Sequence, residues 1–177
     1  MSYALPDELA LWMGVGETFV DPTHAARAEL LLDAATGVVD DELGQSLTVS
    51  PSVDRLRGAG TAALVLSRWP VLAVDSVAVD GVALAAADYT WESAGILERV
   101  AGVWRCAERI TVSLTAGHDP IPSSVRGLVL ELATGSWDNP AAKKSERLGD
   151  WQAAWVRAGM SLSTSDRKVL RRYAANK

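Results

Sequence analysis

The chain is short of the residues that do chemistry. Its 177 residues include one cysteine and two histidines. A single cysteine, Cys106, excludes an intramolecular disulfide framework and a cysteine-cluster metal site, and fits a reducing compartment. As a small apolar side chain it is expected to be buried. His24 and His118 stand far apart, without metal-ligand spacing to a cysteine or carboxylate. Long apolar runs are missing too: none reaches the ~18 residues a membrane span needs. The opening MSYALPDELALWMGVGETF mixes acids with its apolar residues and lacks a basic n-region, so it does not read as a signal peptide. A soluble protein made in a cytoplasm is expected. Phenylalanine is nearly absent, one against seven tryptophans. Tryptophan concentrates where surfaces meet, so the bias leans towards assembly, with core filling an equal explanation.

Catalytic motifs are equally scarce. RGAGTA, residues 57–62, lacks the lysine and the following helix of a phosphate-binding loop. No Gly-x-Ser-x-Gly elbow is present. GHDP, residues 117–120, sets His118 beside Asp119, and a small enzyme using that pair for acid–base work is one reading. Gly, His, Asp and Pro between a strand and a helix are also ordinary turn chemistry, which is the stronger reading. Asp40, Asp41 and Glu42 point in different directions on a helix and read as solvated. No cofactor and no metal are expected.

What is present is an ordinary globular composition, 49% hydrophobic and 22% charged, at a length suited to one domain, or one domain with long arms. The charge is lopsided. Residues 1–142 hold 8 Lys/Arg against 19 Asp/Glu, whereas residues 143–177 hold 9 against 3. A basic tail on an acidic body points to an acidic partner for the tail. The acidic body opposes a nucleic-acid reader, including a single-strand module, despite the cluster Arg167, Lys168, Arg171, Arg172 and Tyr173.

Along the chain, a short helix is predicted over residues 6–13. A second follows from Pro22, capped by Asp21, with Ala26, Leu30, Ala34 and Val38 as its stripe and Leu31 and Leu43 beside it. Gly37 is expected to bend or break it. His24 in its first turn reads as a surface residue. Residues 47–60 read as loop. The period then changes: TAALVLSRW is a strand, and VDSVAVDGVALAA is a hairpin about Asp80-Gly81, the strongest short hairpin signal available. DYTWES and GILERV form another pair. RITVSLTAG alternates, with Ile110, Val112 and Leu114 on one face and Thr111, Ser113 and Thr115 on the other, wet face. A helix follows, capped by Ser123 or Ser124, burying Val125, Leu128, Val129, Leu132 and Ala133, and ending at Asn139-Pro140. Residues 141–156 are ambiguous, with Trp151, Ala153 and Trp155 at strand spacing. The end carries a short basic helix with Ser163 and Asp166 as a capping box, too short to stand alone in water.

The class is therefore α+β: a helical body with an inserted small antiparallel β-domain and an extended C-terminal arm. The divisions read as N-terminal helices over 1–46, the β-domain over 61–116, a helix over 122–139 completing the body, and the arm over 140–177. Arg68-Trp69-Pro70 fits as a scaffold element at the entrance to the β-domain. Pro70 sits at a strand start where its missing amide is not needed, and Trp69 folds over the sheet to cover the junction with the helices.

Four stretches together resemble the head–tail connector (adaptor) proteins of tailed bacteriophages. They are Arg68-Trp69-Pro70-Val71 leading into VDSVAVDG, DYTWESAGILERVAGVW (88–104), ITVSLTAGHDPIPSSV (110–125) and SERLGDW…LSTSDRKVLRRY (145–173). The resemblance spans most of the chain from about residue 18 and implies a structural, non-catalytic virion protein. Such proteins form a homo-oligomeric ring of about twelve copies beneath the portal, in the neck between capsid and tail. One face meets the portal and the other the head-closure or tail-tube proteins, and double-stranded DNA passes through the centre on packaging and ejection without sequence-specific binding. The resemblance further implies that the arm locks onto the portal. Leu162, Val169, Leu170 and Tyr173 would then be apolar anchors, and Arg167, Arg171 and Arg172 would pair with portal carboxylates. An acidic body suits a channel that must not grip phosphate: twelve copies at −5 each would carry roughly −60. A head-closure or tail-terminator ring protein of the same neck is the rival within the class.

Overall fold

The computed structural model describes residues 2–141, 145–148, 151–154 and 159–176. They form an α+β chain of two compact units, one of residues 1–43 and 121–173, the other of residues 44–120 and 174–177.

The first unit is helical. Helix α1 (Pro6–Met13) begins on a proline, and Glu8 accepts a hydrogen bond from the Leu5 amide at 2.9 Å. Helix α2 (Pro22–Leu43) is started by Asp21, whose carboxylate accepts from the Thr23 amide at 2.8 Å. That bond is the first cause of a carboxyl pKa held below its ordinary 3.8. The helix runs unbroken through Gly37, because one glycine costs only ~1 kcal/mol against a full face of packing. The face it buries is Ala28, Leu32, Ala35, Thr36, Val39 and Leu43, not the expected stripe. Ala26, Leu30 and Ala34 are exposed and Val38 is half-buried. Two apolar stripes of helical period coexist in this sequence, and periodicity alone cannot say which meets the core.

Helix α3 (Ser123–Asp138) packs against α1 and α2 and buries Val125, Leu128, Val129, Leu130, Leu132 and Ala133. Neither Ser123 nor Ser124 caps it. Pro122 holds the cap position and accepts from the Val125 and Arg126 amides through its carbonyl, so both serines fall inside the first turn. Asn139 ends the helix as expected. The ambiguous segment contains a hairpin, β8 (Ser145–Leu148) with β9 (Trp151–Ala154). Trp155 lies outside the described residues. Helix α4 (Thr164–Leu170) is capped reciprocally: Asp166 N donates to Ser163 Oγ at 3.2 Å, and Ser163 N to Asp166 Oδ2 at 2.8 Å. A 3-10 turn, Arg171–Tyr173, continues it.

The second unit holds two antiparallel sheets. The larger has the order β1 (Ser50–Arg57), β7 (Arg109–Ala116), β3 (Val71–Val79), β4 (Val82–Ala83). The smaller has the order β2 (Ala63–Val65), β6 (Ile96–Arg99), β5 (Tyr89–Glu92). Ile110, Val112 and Leu114 of β7 point into a core shared with Leu64, Leu66, Val71, Val77, Leu97 and Trp104. Asp80 and Gly81, at φ 50° and 86°, make the expected two-residue turn between β3 and β4. Tyr89–Glu92 pairs with Ile96–Arg99 as expected. The strand over Ser50–Arg57 corrects the loop expected there. It lies at the sheet edge, where Pro51 is tolerated, and its inward positions include Ser52 and Asp54, which hides the alternation. Cys106 is exposed, not buried, since it belongs to the turn before β7 rather than to a strand.

Candidate functional site

Arg68-Trp69-Pro70 sits immediately before β3, and the Trp69–Pro70 peptide is cis. The sequence order brings an arginine with many donors to a place where several carbonyls converge. Arg68 Nη2 donates to the carbonyls of Ser46, Thr48 and Ala116 at 2.8, 3.0 and 3.1 Å. Its Nη1 donates to Ser50 Oγ at 3.0 Å and to the Ser50 carbonyl at 3.3 Å. Only a planar fork of five N–H groups can satisfy so many acceptors from one side chain. The Trp69 amide donates to Gln45 Oε1 at 3.1 Å, and the indole N–H to the Ala174 carbonyl at 2.7 Å. The ring stands edge-on to His118 at 5.9 Å. Pro70 accepts from Gly117 N at 3.0 Å. The tripeptide is thus a clasp inside the β unit, gathering residues 45–50, 116–118 and 174. Gln45 and Ala174 were not legible as its partners, because a backbone carbonyl and a lone amide leave no pattern in sequence.

His118 and Asp119 do not make a paired acid and base. His118 is half-buried and faces Trp69, its imidazole pushed below 6.5 by burial, whereas Asp119 is exposed and precedes a cis proline. Among the described residues no group of three His, Cys, Asp or Glu could hold a metal ion, and no helix is long and apolar enough to cross a membrane. His24 is exposed as expected, and lies edge-on to Trp137 at 5.6 Å. The acids Asp40 and Glu42 are not simply solvated: Tyr3 donates its hydroxyl to Asp40, and Arg167 pairs with Glu42 at 3.3 Å.

The arm residues divide. Leu170 is 1% exposed and pins α4 to its own helical unit, so it is closed to a second protein. Arg167 faces Glu42, and the Tyr173 hydroxyl lies 3.4 Å from Ser124 Oγ. Leu162 is half-buried. Val169 (38% exposed), Arg171 and Arg172 remain on the surface with Lys168. The short helix does not stand alone: it packs on α2 and α3.

No protein-family model matches the chain, and no curated protein does. Solved structures similar to it include two from gene transfer agent particles. One is a chain of the neck of an empty gene transfer agent particle computed with C6 symmetry, at 19% identity and a TM-score of 0.63, covering 98% of this chain and 91% of that one. The other is a chain of the virion of a native gene transfer agent particle, at 16% identity and a TM-score of 0.61, covering 98% and 93%. At these identities the likeness is one of fold, and it covers nearly the whole chain.

Proposed function

We propose that the chain is a structural protein of the neck of a phage-like particle, a head-to-tail adaptor that assembles as a symmetric ring. The observation that carries this is the likeness of 98% of the chain to a component of a C6-symmetric neck. A ring joins capsid to tail by shape, so its subunits need a rigid internal clasp of the kind seen at Arg68 and Trp69 and no reactive group. On this reading the ring docks on the portal on one face and on head-closure or tail-tube proteins on the other. Duplex DNA passes through the centre, kept from sticking by the acidic balance of residues 1–142. The role is structural, not catalytic.

The test is antibody labelling of tailed particles purified from cells that make the chain. Gold at the head–tail boundary is expected. Label on the capsid shell or the distal tail, or particles lacking the chain, would overturn the reading.

A further inference from the structure

Helix α2 is apolar on two sides, and only one of them meets the core of its own unit. On the other side Leu30 is 69% exposed, and beside it Leu5, just ahead of α1, is 64% exposed. Between them runs a groove of about 530 Å³ floored by Leu5, Pro6, Ala26 and Leu30, with Glu29 and Asp33 among its lining residues. Glu29 and Asp33 are both exposed, so the groove carries a negative rim.

The same helical unit carries a surface of opposite character. Helix α4 and the turn after it expose Val169 together with Lys168, Arg171 and Arg172. Leu170 anchors them from beneath. The Arg167–Glu42 pair holds α4 near the C-terminal end of α2. Glu29 and Asp33 lie nine to thirteen residues earlier, roughly 14–20 Å away at 1.5 Å per residue. A chain therefore cannot fill its own groove with its own basic turn while that pair and Leu170 are in place.

We infer that the groove seats the basic last turn of a second copy of this chain. Val169 of one copy enters between Leu5 and Leu30 of the next, and Lys168, Arg171 and Arg172 face Glu29 and Asp33. The inference rests on the ring reading above and names its subunit contact. Two complementary patches at separate places on one subunit make a head-to-tail contact, which repeats until rotation closes it into a ring. The charges set order and register, while the apolar contact supplies the area removed from water.

The test uses the full-length chain in mass photometry and sedimentation over a range of concentrations and salt. The wild type is expected to assemble, and less readily as salt rises. Reversing the groove charges (Glu29→Arg with Asp33→Arg) should raise the concentration needed for assembly at least about tenfold, and so should reversing the turn (Arg171→Glu with Arg172→Glu). Combining all four substitutions in one chain should restore assembly to within about threefold of wild type, because an acidic turn then meets a basic groove. That rescue also separates lost contact from lost folding. Assembly of the groove variant at wild-type concentrations, or a fourfold variant no better than its parents, overturns the contact and leaves the neck reading standing. A wild-type chain that stays monomeric throughout overturns the contact too, and the neck reading is then judged by particle labelling alone.

Discussion

The indole N–H of Trp69 donates to the carbonyl of Ala174 across 2.7 Å, joining the start of β3 to the last residues of the chain. Asn176 reinforces the same place by donating its amide to the Ala94 carbonyl at 2.9 Å. Replacing Trp69 by Phe keeps a ring and removes the donor, which should cost about 1 kcal/mol in urea unfolding. Trp69→Ala should cost about 2 kcal/mol, less than a fully buried aromatic, because the ring is half-buried. Deleting residues 174–177 and making Trp69→Phe together should cost less than the sum of the two changes, since both remove one bond. Strict additivity would show the contact to be energetically idle.

Asp54 is buried in edge strand β1 and holds the chain ahead of β3 with both oxygens. Oδ2 accepts from Ser67 N at 2.6 Å and Oδ1 from Ser67 Oγ at 2.5 Å. Asp54→Ala strands a backbone donor as well as a hydroxyl, and should destabilise the chain by about 2–3 kcal/mol in urea unfolding. Ser67→Ala removes only the hydroxyl and should cost about 1 kcal/mol. Equal losses in the two variants would mean that the Ser67 amide is satisfied without Asp54.

These two sites show what the sequence could and could not say. Local chemistry was readable: Asp80-Gly81 turns the hairpin, Asp21 and Ser163 cap their helices, and Ile110, Val112 and Leu114 alternate into the core. Each of those signals lies within a few residues of its effect. Strand β1 was hidden because its buried Asp54 is explained only by Ser67, thirteen residues on. The buried face of α2 was misassigned because Leu30, Leu31 and Leu32 adjoin, and the choice among them depends on where α1 and α3 sit. Leu170 was read as an anchor for another protein because a short basic helix gives no sign that its own chain covers its one apolar side. Long-range partners, not local propensity, decided every one of these.

His118 gives the chain a pH dependence of known sign. Burial lowers its imidazole below 6.5, so the folded chain keeps it neutral where the unfolded chain has begun to protonate. Between the lowered folded value and the ordinary one the unfolded state binds more protons. Stability therefore rises with pH across that window and is lost as pH falls through it. Urea midpoints of the wild type should drop as the pH falls below about 6.5, where the unfolded imidazole protonates first, and His118→Gln should flatten that slope. An unchanged slope in the variant would assign the dependence to another group.

Two glycines should respond in opposite ways to a single added methyl group. At Gly58 a β-carbon would stand 2.0 Å from the Arg105 carbonyl oxygen and 2.9 Å from the Trp104 carbonyl oxygen. The Gly58 amide meanwhile donates to the Glu108 carbonyl at 3.0 Å, so the backbone has little room to retreat. Gly58→Ala should cost about 3 kcal/mol through displacement of that turn and of the Trp104 segment beneath it. At Gly37, in the middle of α2, nothing lies within 4 Å of the added carbon and the backbone is helical. Gly37→Ala should stabilise the chain by about 0.5–1 kcal/mol, through helix propensity and a less flexible unfolded state. Thermal melts of both variants under identical buffer give the comparison directly. A destabilised Gly37→Ala would mean that helix propensity does not govern this position of α2.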